Sequence, residues 1–295
     1  MRRFIFALTA VVLFQTAWAA SPLVFQSDFG TRDAAVAAMK GVAVGVSPEL
    51  AIYDITHEIP PYNIWEGALR LVQAAEYWPE GTVFVSVVDP GVGTERKSIA
   101  MRSRSGHFFV TPDNGTLTFI AERLGVEEVR EIDEAVNRLA NSEESYTFHG
   151  RDVYAYTGAR LAAGVISFEE VGRKLPARVV AIPYQEPELD DGTLKGNIPI
   201  LDVQYGNVWT NIDRQTFAKL GVEPGGTVSV RIRNGDEEIY DGRIPYHPTF
   251  GYVDVGEPLL YLNSLNNVSL AINQGSFADK HNVQSGASWN IEITK

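Results

Sequence analysis

The chain has 295 residues, 45% of them hydrophobic and 21% charged, which is the balance of a globular protein longer than one hydrophobic core usually supports. Its formal charge of −12 argues against nucleic acid and anionic membranes as partners and favours a cationic ligand. With no cysteine, disulfides, thiolate metal sites and a cysteine nucleophile are all excluded.

Residues 1–20 read as an export signal: Arg2 and Arg3 give a charged start, residues 4–14 an apolar run, and Ala17-Trp18-Ala19 a small-residue cleavage site. The run is shorter than the roughly 20 residues a membrane span needs. Cleavage before Ala20 or Ser21, a periplasmic or secreted product and no membrane attachment after signal removal are therefore expected. Losing Arg2 and Arg3 moves the charge to −14.

From residue 23 to residue 172, short β-rich runs alternate with helical patterns, which predicts a layered α/β domain with a mainly parallel sheet. Strands are predicted over 23–26, 51–54, 82–88 and 107–110, and helices over 33–46, 64–78, 115–124 and 151–163. Residues 176–192 carry three prolines and the acidic run Glu186-Pro187-Glu188-Leu189-Asp190-Asp191, and read as a linker. Beyond it, residues 227–232, 238–240 and 289–293 alternate like strands, with Asn234-Gly235 as a hairpin turn, which predicts a small β-barrel domain. The expected division is a catalytic α/β domain over 21–178, a linker over 179–192 and the barrel over 193–295.

Ligands of open α/β sheets sit beyond the carboxyl ends of the strands. Here those positions hold Ser27-Asp28-Phe29-Gly30, Asp54-Ile55-Thr56-His57, the loop from Asp89 to Arg96, and Pro112-Asp113-Asn114-Gly115, while Phe148-His149-Gly150-Arg151-Asp152 opens a helix. Taken singly, Asp28, Asp54 and Asp113 are ordinary turn or helix caps, Arg96 a surface charge and His149 a satisfied helix-terminal ring. Their gathering at one sheet edge favours function. There is no nucleophile elbow, Walker loop or His-Glu-x-x-His, and Gly91-Val92-Gly93 lacks the third glycine of a dinucleotide fingerprint. Asp54, His57 and Glu58, close together on one loop, are a weak metal site, so no metal and no cofactor are expected.

In this order the motifs, with Asp202-x-x-Tyr205-Gly206-Asn207-Val208-x-Thr210-Asn211 and Asn263-Ser264 further on, resemble the S-adenosylmethionine hydroxide adenosyltransferases, relatives of the bacterial fluorinase and chlorinase. The resemblance implies S-adenosylmethionine as substrate, water as nucleophile, adenosine and methionine as products, and a homotrimer with sites between neighbouring subunits. It implies a water-activating set at Asp89, Arg96 and His149 and a ribose grip at Asp28. Tyr62 and Phe148 fall on pocket walls near the ribose, and Tyr205, Trp209 and Phe250 fall around the adenine, with Asn207 on its edge. Asp202 and Ser264 match positions that hold the methionine ammonium. Where the halogenating relatives place an arginine after that serine, this chain has Leu265, and where they have a tyrosine it has Asp89.

Attack on the 5′ carbon expels a neutral thioether, so an aligned oxygen and a held substrate suffice. Two rivals remain: an exported, non-catalytic binder of nucleosides or adenosyl compounds, which has no use for Asp89, Arg96 and His149 together, and halide transfer from the same substrate. A metal hydrolase built on Asp54 and His57 is a third, marked by loss of activity on chelation.

Overall fold

A computed structural model describes residues 20–295; the expected export signal falls almost wholly on residues 1–19, outside the described residues. The first half is a seven-stranded sheet of β1 (Leu23–Ser27), β2 (Ile52–Thr56), β3 (Val83–Val87), β4 (Ser98–Ser103), β5 (Phe108–Pro112), β6 (Val126–Glu131) and β7 (Lys174–Leu175), in the order β2-β1-β3-β5-β4-β6-β7. The pairings β1–β2, β1–β3 and β3–β5 are parallel and the other three antiparallel, so five of the seven strands run one way. Strands β1 and β3, Leu-Val-Phe-Gln-Ser and Val-Phe-Val-Ser-Val, are buried throughout, as central strands covered on both faces must be. Helices α1 (Ala35–Val46), α2 (Ile64–Ala75), α3 (Thr118–Arg123) and α4 (Tyr156–Ala162) supply the cover. One face packs Met39, Ala43 and Ala159 onto Leu23, Phe25 and Val85; the other packs Ala68, Leu71 and Val72 with Phe84 and Phe109.

The chain leaves β1 in one direction to make β2 and returns past it to make β3. The edge between β1 and β3 is therefore the topological switch point, where an open α/β sheet leaves a crevice. Asn63 caps α2 by accepting from the Glu66 N–H at 2.9 Å, which fixes where the loop after β2 enters the helix.

The second half contains β8 (Glu188–Asp190), β9 (Thr193–Asn197), β10 (Ile200–Leu201), β11 (Val208–Asp213), β12 (Thr227–Asn234), β13 (Glu237–Pro245), β14 (Pro258–Leu262), β15 (Asn267–Ile272) and β16 (Trp289–Thr294), with α5 (Arg214–Ala218) and α6 (Phe277–His281). They form two antiparallel sheets, β10-β11-β15-β14 and β13-β12-β16-β9-β8. Leu194, Val208, Val230, Leu260, Leu270 and Ile291 from both sheets share one core, and a bridge between Tyr246 and Leu260 joins the sheets at one edge, giving a flattened barrel. The halves meet where Trp65 Nε1 donates to the Pro199 carbonyl at 2.8 Å and where the strap before β8 crosses the first sheet, its Val180 N–H on Asp113 and its Ile182 N–H on Thr118.

Two expectations change. The stretch read as a linker is irregular only as far as residue 187, because Glu188–Asp190 pairs with β9. Asp191 and Gly192, both at positive φ (43° and 76°), make the tight turn that mates the right-handed twist of two strands, and Lys195 neutralises Asp190 at 2.8 Å. Strands β4 and β6, unforeseen, extend the sheet through antiparallel pairings, so Ser98 begins an interior strand and Arg96, two residues before it, is held beside the sheet instead of out on a surface loop. Among the described residues no helix is long and apolar enough to cross a membrane.

Candidate active site at the switch point

The loop after β3 turns back on itself within eight residues and brings Arg96 onto Asp89. Arg96 Nε donates to both carboxylate oxygens at 3.0 Å and Nη2 to Oδ2 at 2.5 Å, with side chains only 11% and 5% exposed. This is the fork-on-carboxylate geometry in which guanidinium and carboxylate bind most strongly. Nη2 also reaches His149 Nδ1 at 3.0 Å, and Nη1 donates to Ser98 Oγ at 3.0 Å, which in turn meets the Tyr154 hydroxyl at 3.1 Å. Burial holds the Tyr154 phenol far above the ordinary tyrosine range, so it stays neutral beneath the guanidinium, 5.7 Å from its ring centre.

The backbone makes this possible by a π-helical turn over Gly150–Ala155 that runs into α4. A π turn brings residues five apart onto one face, so His149 and Tyr154 both serve Arg96. Gly150 is required by a close approach: a Cβ there would stand 2.9 Å from the Phe29 ring and 3.3 Å from Val87. His149 is buried, and its Nε2 has no protein partner. Burial, with the adjacent Arg96 charge, holds its pKa below the usual imidazole value despite the opposing pull of Glu134.

Asp28 and its neighbours close one side of the cluster. Asp28 Oδ2 accepts from the Tyr62 N–H at 2.9 Å, and burial raises its pKa, with the nearby Asp89 carboxylate adding to the rise. Phe29 and Phe148 meet edge to face at 5.6 Å, and Arg151 lies over Phe148. Tyr62 is 72% exposed and Tyr146, beside His149, is 59% exposed. Asn114 Nδ2 donates to the Val88 carbonyl at 2.9 Å and steadies the root of the Asp89 loop. Asp113 holds the strap and stands outside the cluster. Both nitrogens of His57 are engaged, by Ser27 and Asp54, so a metal there would have to displace two hydrogen bonds.

The remaining sequence-predicted residues gather elsewhere. A cavity of about 940 Å³ between the halves of the chain is lined by Asp202, Tyr205, Asn207 and Phe250 together with Glu58, Glu66, Arg70 and Asp279. Asn207 Nδ2 donates to Asp202 Oδ2 at 3.2 Å, and Gly206, at φ +65°, lets the turn press so closely on Ser276 that no Cβ fits. Trp209 does not join Asn207 and Phe250. Val208, Thr210 and Ile212 face the barrel core, which turns Trp209 to the other side of β11, against Leu69, Val72 and Tyr184. Ser264 also lies apart, exposed on the β14–β15 turn beside Leu265. None of Asp28, Asp89, Arg96 or His149 lines the 940 Å³ cavity. Sequence reasoning missed Ser98 and Tyr154; the only signal for Tyr154 was its place five residues beyond His149, which an α-helical reading turns to a different face.

Known proteins are similar to this chain over most of its length. A fluorinase from Actinopolyspora mzabensis is 31% identical, with 92% of this chain and 97% of that protein aligned. An (R)-S-adenosyl-L-methionine hydrolase from Methanocaldococcus jannaschii is 38% identical over 72% of this chain and 74% of its own length. The crystal structure of a protein from Thermotoga maritima superposes with a TM-score of 0.80 at 36% identity, covering 92% of this chain and all of that one. Residues 23–172 match the SAM hydroxide adenosyltransferase N-terminal domain and residues 196–290 its C-terminal domain, so the chain is a member of the SAM hydroxide adenosyltransferase family.

Proposed function

We propose that the protein hydrolyses S-adenosyl-L-methionine to adenosine and L-methionine by attack of water on the 5′ carbon. The observation that carries this is the buried Asp89–Arg96–His149 cluster with one imidazole nitrogen left over. Arg96 is a permanent donor and occupies Nδ1 of His149, so the neutral ring carries its proton on Nε2. That N–H donates to the water oxygen and aims it; it has no lone pair with which to take the water's proton. Asp89 is the acceptor, since its oxygens keep lone pairs beyond those engaged by Arg96. As the new C–O bond forms, the C–S bond breaks, its electron pair stays on a neutral thioether, and the proton passes to Asp89. No acid, metal or cofactor enters the scheme. Holding the oxygen about 3 Å from the carbon, in line with sulfur, supplies much of the rate.

Asp28 takes the ribose hydroxyls, with Tyr62 and Phe148 as walls. Tyr205, Asn207 and Phe250 take the adenine and Asp202 the ammonium. The carboxylates Glu58, Glu66, Asp202 and Asp279 outnumber Arg70 around that cavity, which suits a substrate bearing a sulfonium and an ammonium. Arg70, paired with Glu66 at 3.1 Å, is the one basic residue on its lining and the group we assign to the substrate carboxylate, Leu265 offering none. Because the reacting cluster lies outside this cavity, we assign each complete site to two chains of a trimer, the second half of one covering the sheet edge of the next.

Halide transfer is the second reading, favoured by the fluorinase relative. The Asp89 carboxylate opposes it: like unit charges 4 Å apart repel by about 4 kcal/mol at an effective dielectric of 20. A non-catalytic binder would leave the buried cluster without a task. The test is incubation with S-adenosyl-L-methionine, with and without chloride or fluoride, and chromatography of the products. Adenosine and methionine at a rate indifferent to halide are expected. A halogenated nucleoside, release of adenine, or no turnover would reject the proposal.

A further inference from the structure

A second polar chain runs through the same sheet edge, outside the reacting cluster. Lys40 Nζ donates to Asp54 Oδ2 at 2.5 Å, His57 Nε2 lies 3.1 Å from Asp54 Oδ1, Ser27 Oγ lies 2.7 Å from His57 Nδ1, and the Phe29 N–H donates to Ser27 Oγ at 3.3 Å. The chemistry of the groups orders the protons along it. A carboxylate only accepts, so Nε2 is the protonated nitrogen; Nδ1 then accepts from the Ser27 hydroxyl, whose oxygen is free to accept from Phe29.

The Ser–His–Asp composition is that of a hydrolytic triad, but Ser27 is fully buried and its oxygen is engaged by the backbone two residues on, so it offers no external nucleophile. Its placement has another use. Ser27 and Phe29 flank Asp28, and the Gly30 N–H donates to the His57 carbonyl at 2.7 Å, so one buried histidine ties residues 27, 29 and 30. His57 also begins the loop that ends at Tyr62, whose N–H binds Asp28 Oδ2 and whose φ of +69° is costly for a side chain that bulky.

We propose that His57 is a positioning residue that fixes the Asp28 carboxylate and the Tyr62 ring for the ribose of the substrate, with Asp54 and Lys40 setting its tautomer. This rests on the reading of Asp28 as the ribose grip and extends the set of residues that determine nucleoside affinity to a ring that touches no ligand.

The test uses the full-length mature chain and titration calorimetry with adenosine and with 2′,3′-dideoxyadenosine. Asp28→Ala is expected to erase the preference for adenosine. His57→Ala should weaken adenosine binding about tenfold to a hundredfold, the range for a misplaced hydrogen bond to a charged group, while dideoxyadenosine binding moves less than about twofold on the same reasoning. At saturating S-adenosyl-L-methionine, kcat should stay within about threefold while KM rises, because Asp89, Arg96 and His149 lie outside the chain of hydrogen bonds. His57→Asn, whose side-chain oxygen can accept from Ser27, should recover part of the preference. Ser27→Ala repeats the test with a smaller change, should His57→Ala fail to fold. A His57→Ala or Ser27→Ala protein that keeps the wild-type preference, or weakens both nucleosides equally, overturns the positioning role provided Asp28→Ala has lost the preference. An Asp28→Ala protein that keeps it removes the ribose grip itself, and the role of His57 with it.

Discussion

The switch-point cluster and the 940 Å³ cavity are built on opposite principles. At the cluster, charged groups are buried and bound to one another, and His149 Nε2 alone is left without a partner. Around the cavity, Asn207 is buried but Tyr205 is 66% exposed, with Tyr252 at 63% and Val203 at 81% nearby in sequence. Reaction groups must be held rigidly before substrate arrives, and one chain can do that alone. Surfaces that wrap a ligand as long as an adenosylated amino acid can stay open and be completed by a neighbour. On the proposed two-chain site, the contrast is between a finished half-site and one that waits for its other half.

The largest effect should come from breaking the finished half. Asp89→Asn keeps an oxygen for Arg96 but no longer accepts a proton, and turnover is expected to fall by about 10² to 10⁴, the usual worth of a positioned base. Substrate affinity, measured by calorimetry, should change less than about tenfold, since binding groups lie elsewhere. Near wild-type turnover would remove Asp89 from the chemistry. Because the change also disturbs a buried ion pair, whose loss costs roughly 3–5 kcal/mol, a thermal melt must accompany the assay.

The proposed division between chains can be tested separately. Asp89→Asn and Asn207→Ala chains, each crippled alone, are co-expressed and the mixed oligomers isolated. In a ring where the first half of one chain meets the second half of the next, about a quarter of the interfaces of a random equal mixture carry two intact halves. Activity near a quarter of wild type is expected. If sites were contained within single chains, every site would carry a lesion and the mixture would stay inactive.

Much of this was readable in advance because it depends on local rules. The buried runs of β1 and β3 and the strand-end aspartates announce themselves through periodicity and turn chemistry, and the hairpin expected at Asn234-Gly235 is present but turns one residue later, on Gly235 and Asp236, because Asn234 still pairs with Glu237. What stayed hidden depends on contacts distant in sequence or on unusual backbone. Arg96 becomes a buried partner only because β4, itself a mixture of Ser, Met and Arg, is captured between β5 and β6. Tyr154 reaches Ser98 because one turn widens from α to π. His57 looked like a weak metal ligand, since its sequence neighbours are Asp54 and Glu58; Ser27, 30 residues away, gives it its place. Trp209, on the face of β11 away from the inward Val208 and Thr210, packs against Leu69, Val72 and Tyr184 of distant segments, a contact that no motif in the sequence signals.

A smaller effect should follow from loosening the cluster's support. Tyr154→Phe removes the hydroxyl that meets Ser98 Oγ and leaves the ring beneath Arg96 in place. The loss should be about 1 kcal/mol of stability, the net worth of one buried neutral hydrogen bond. Turnover should fall only about threefold, because Arg96 keeps its Asp89 and His149 contacts. A thermal melt and kcat measured together check both. A loss of activity as large as that of Asp89→Asn would mean that Tyr154 belongs to the chemistry itself.

The gentlest perturbation is a change of pH, and its sign is fixed by the surroundings of His149. Burial, then the Arg96 charge, lowers its pKa in the folded chain, while an unfolded histidine titrates near the ordinary value of about 6.5. Between the lowered and the ordinary value the unfolded chain binds more protons, so His149 makes stability rise with pH across that window and fall as the solution is acidified through it. Activity should follow in the same direction but later. Turnover requires the neutral ring with its proton on Nε2, so the acid limb attributable to His149 lies below 6.5 and rates near neutrality are flat. Glu134 and Asp89 pull the other way and keep the window narrow, and Asp28, raised by burial, titrates on the acid side as well. Melting curves separate the contributions: between pH 7 and pH 5 the wild type should lose more stability than His149→Gln, which cannot titrate. A smaller loss in the wild type than in His149→Gln would mean that His149 is held charged in the fold, and the water-aiming role of its Nε2 would have to be given up.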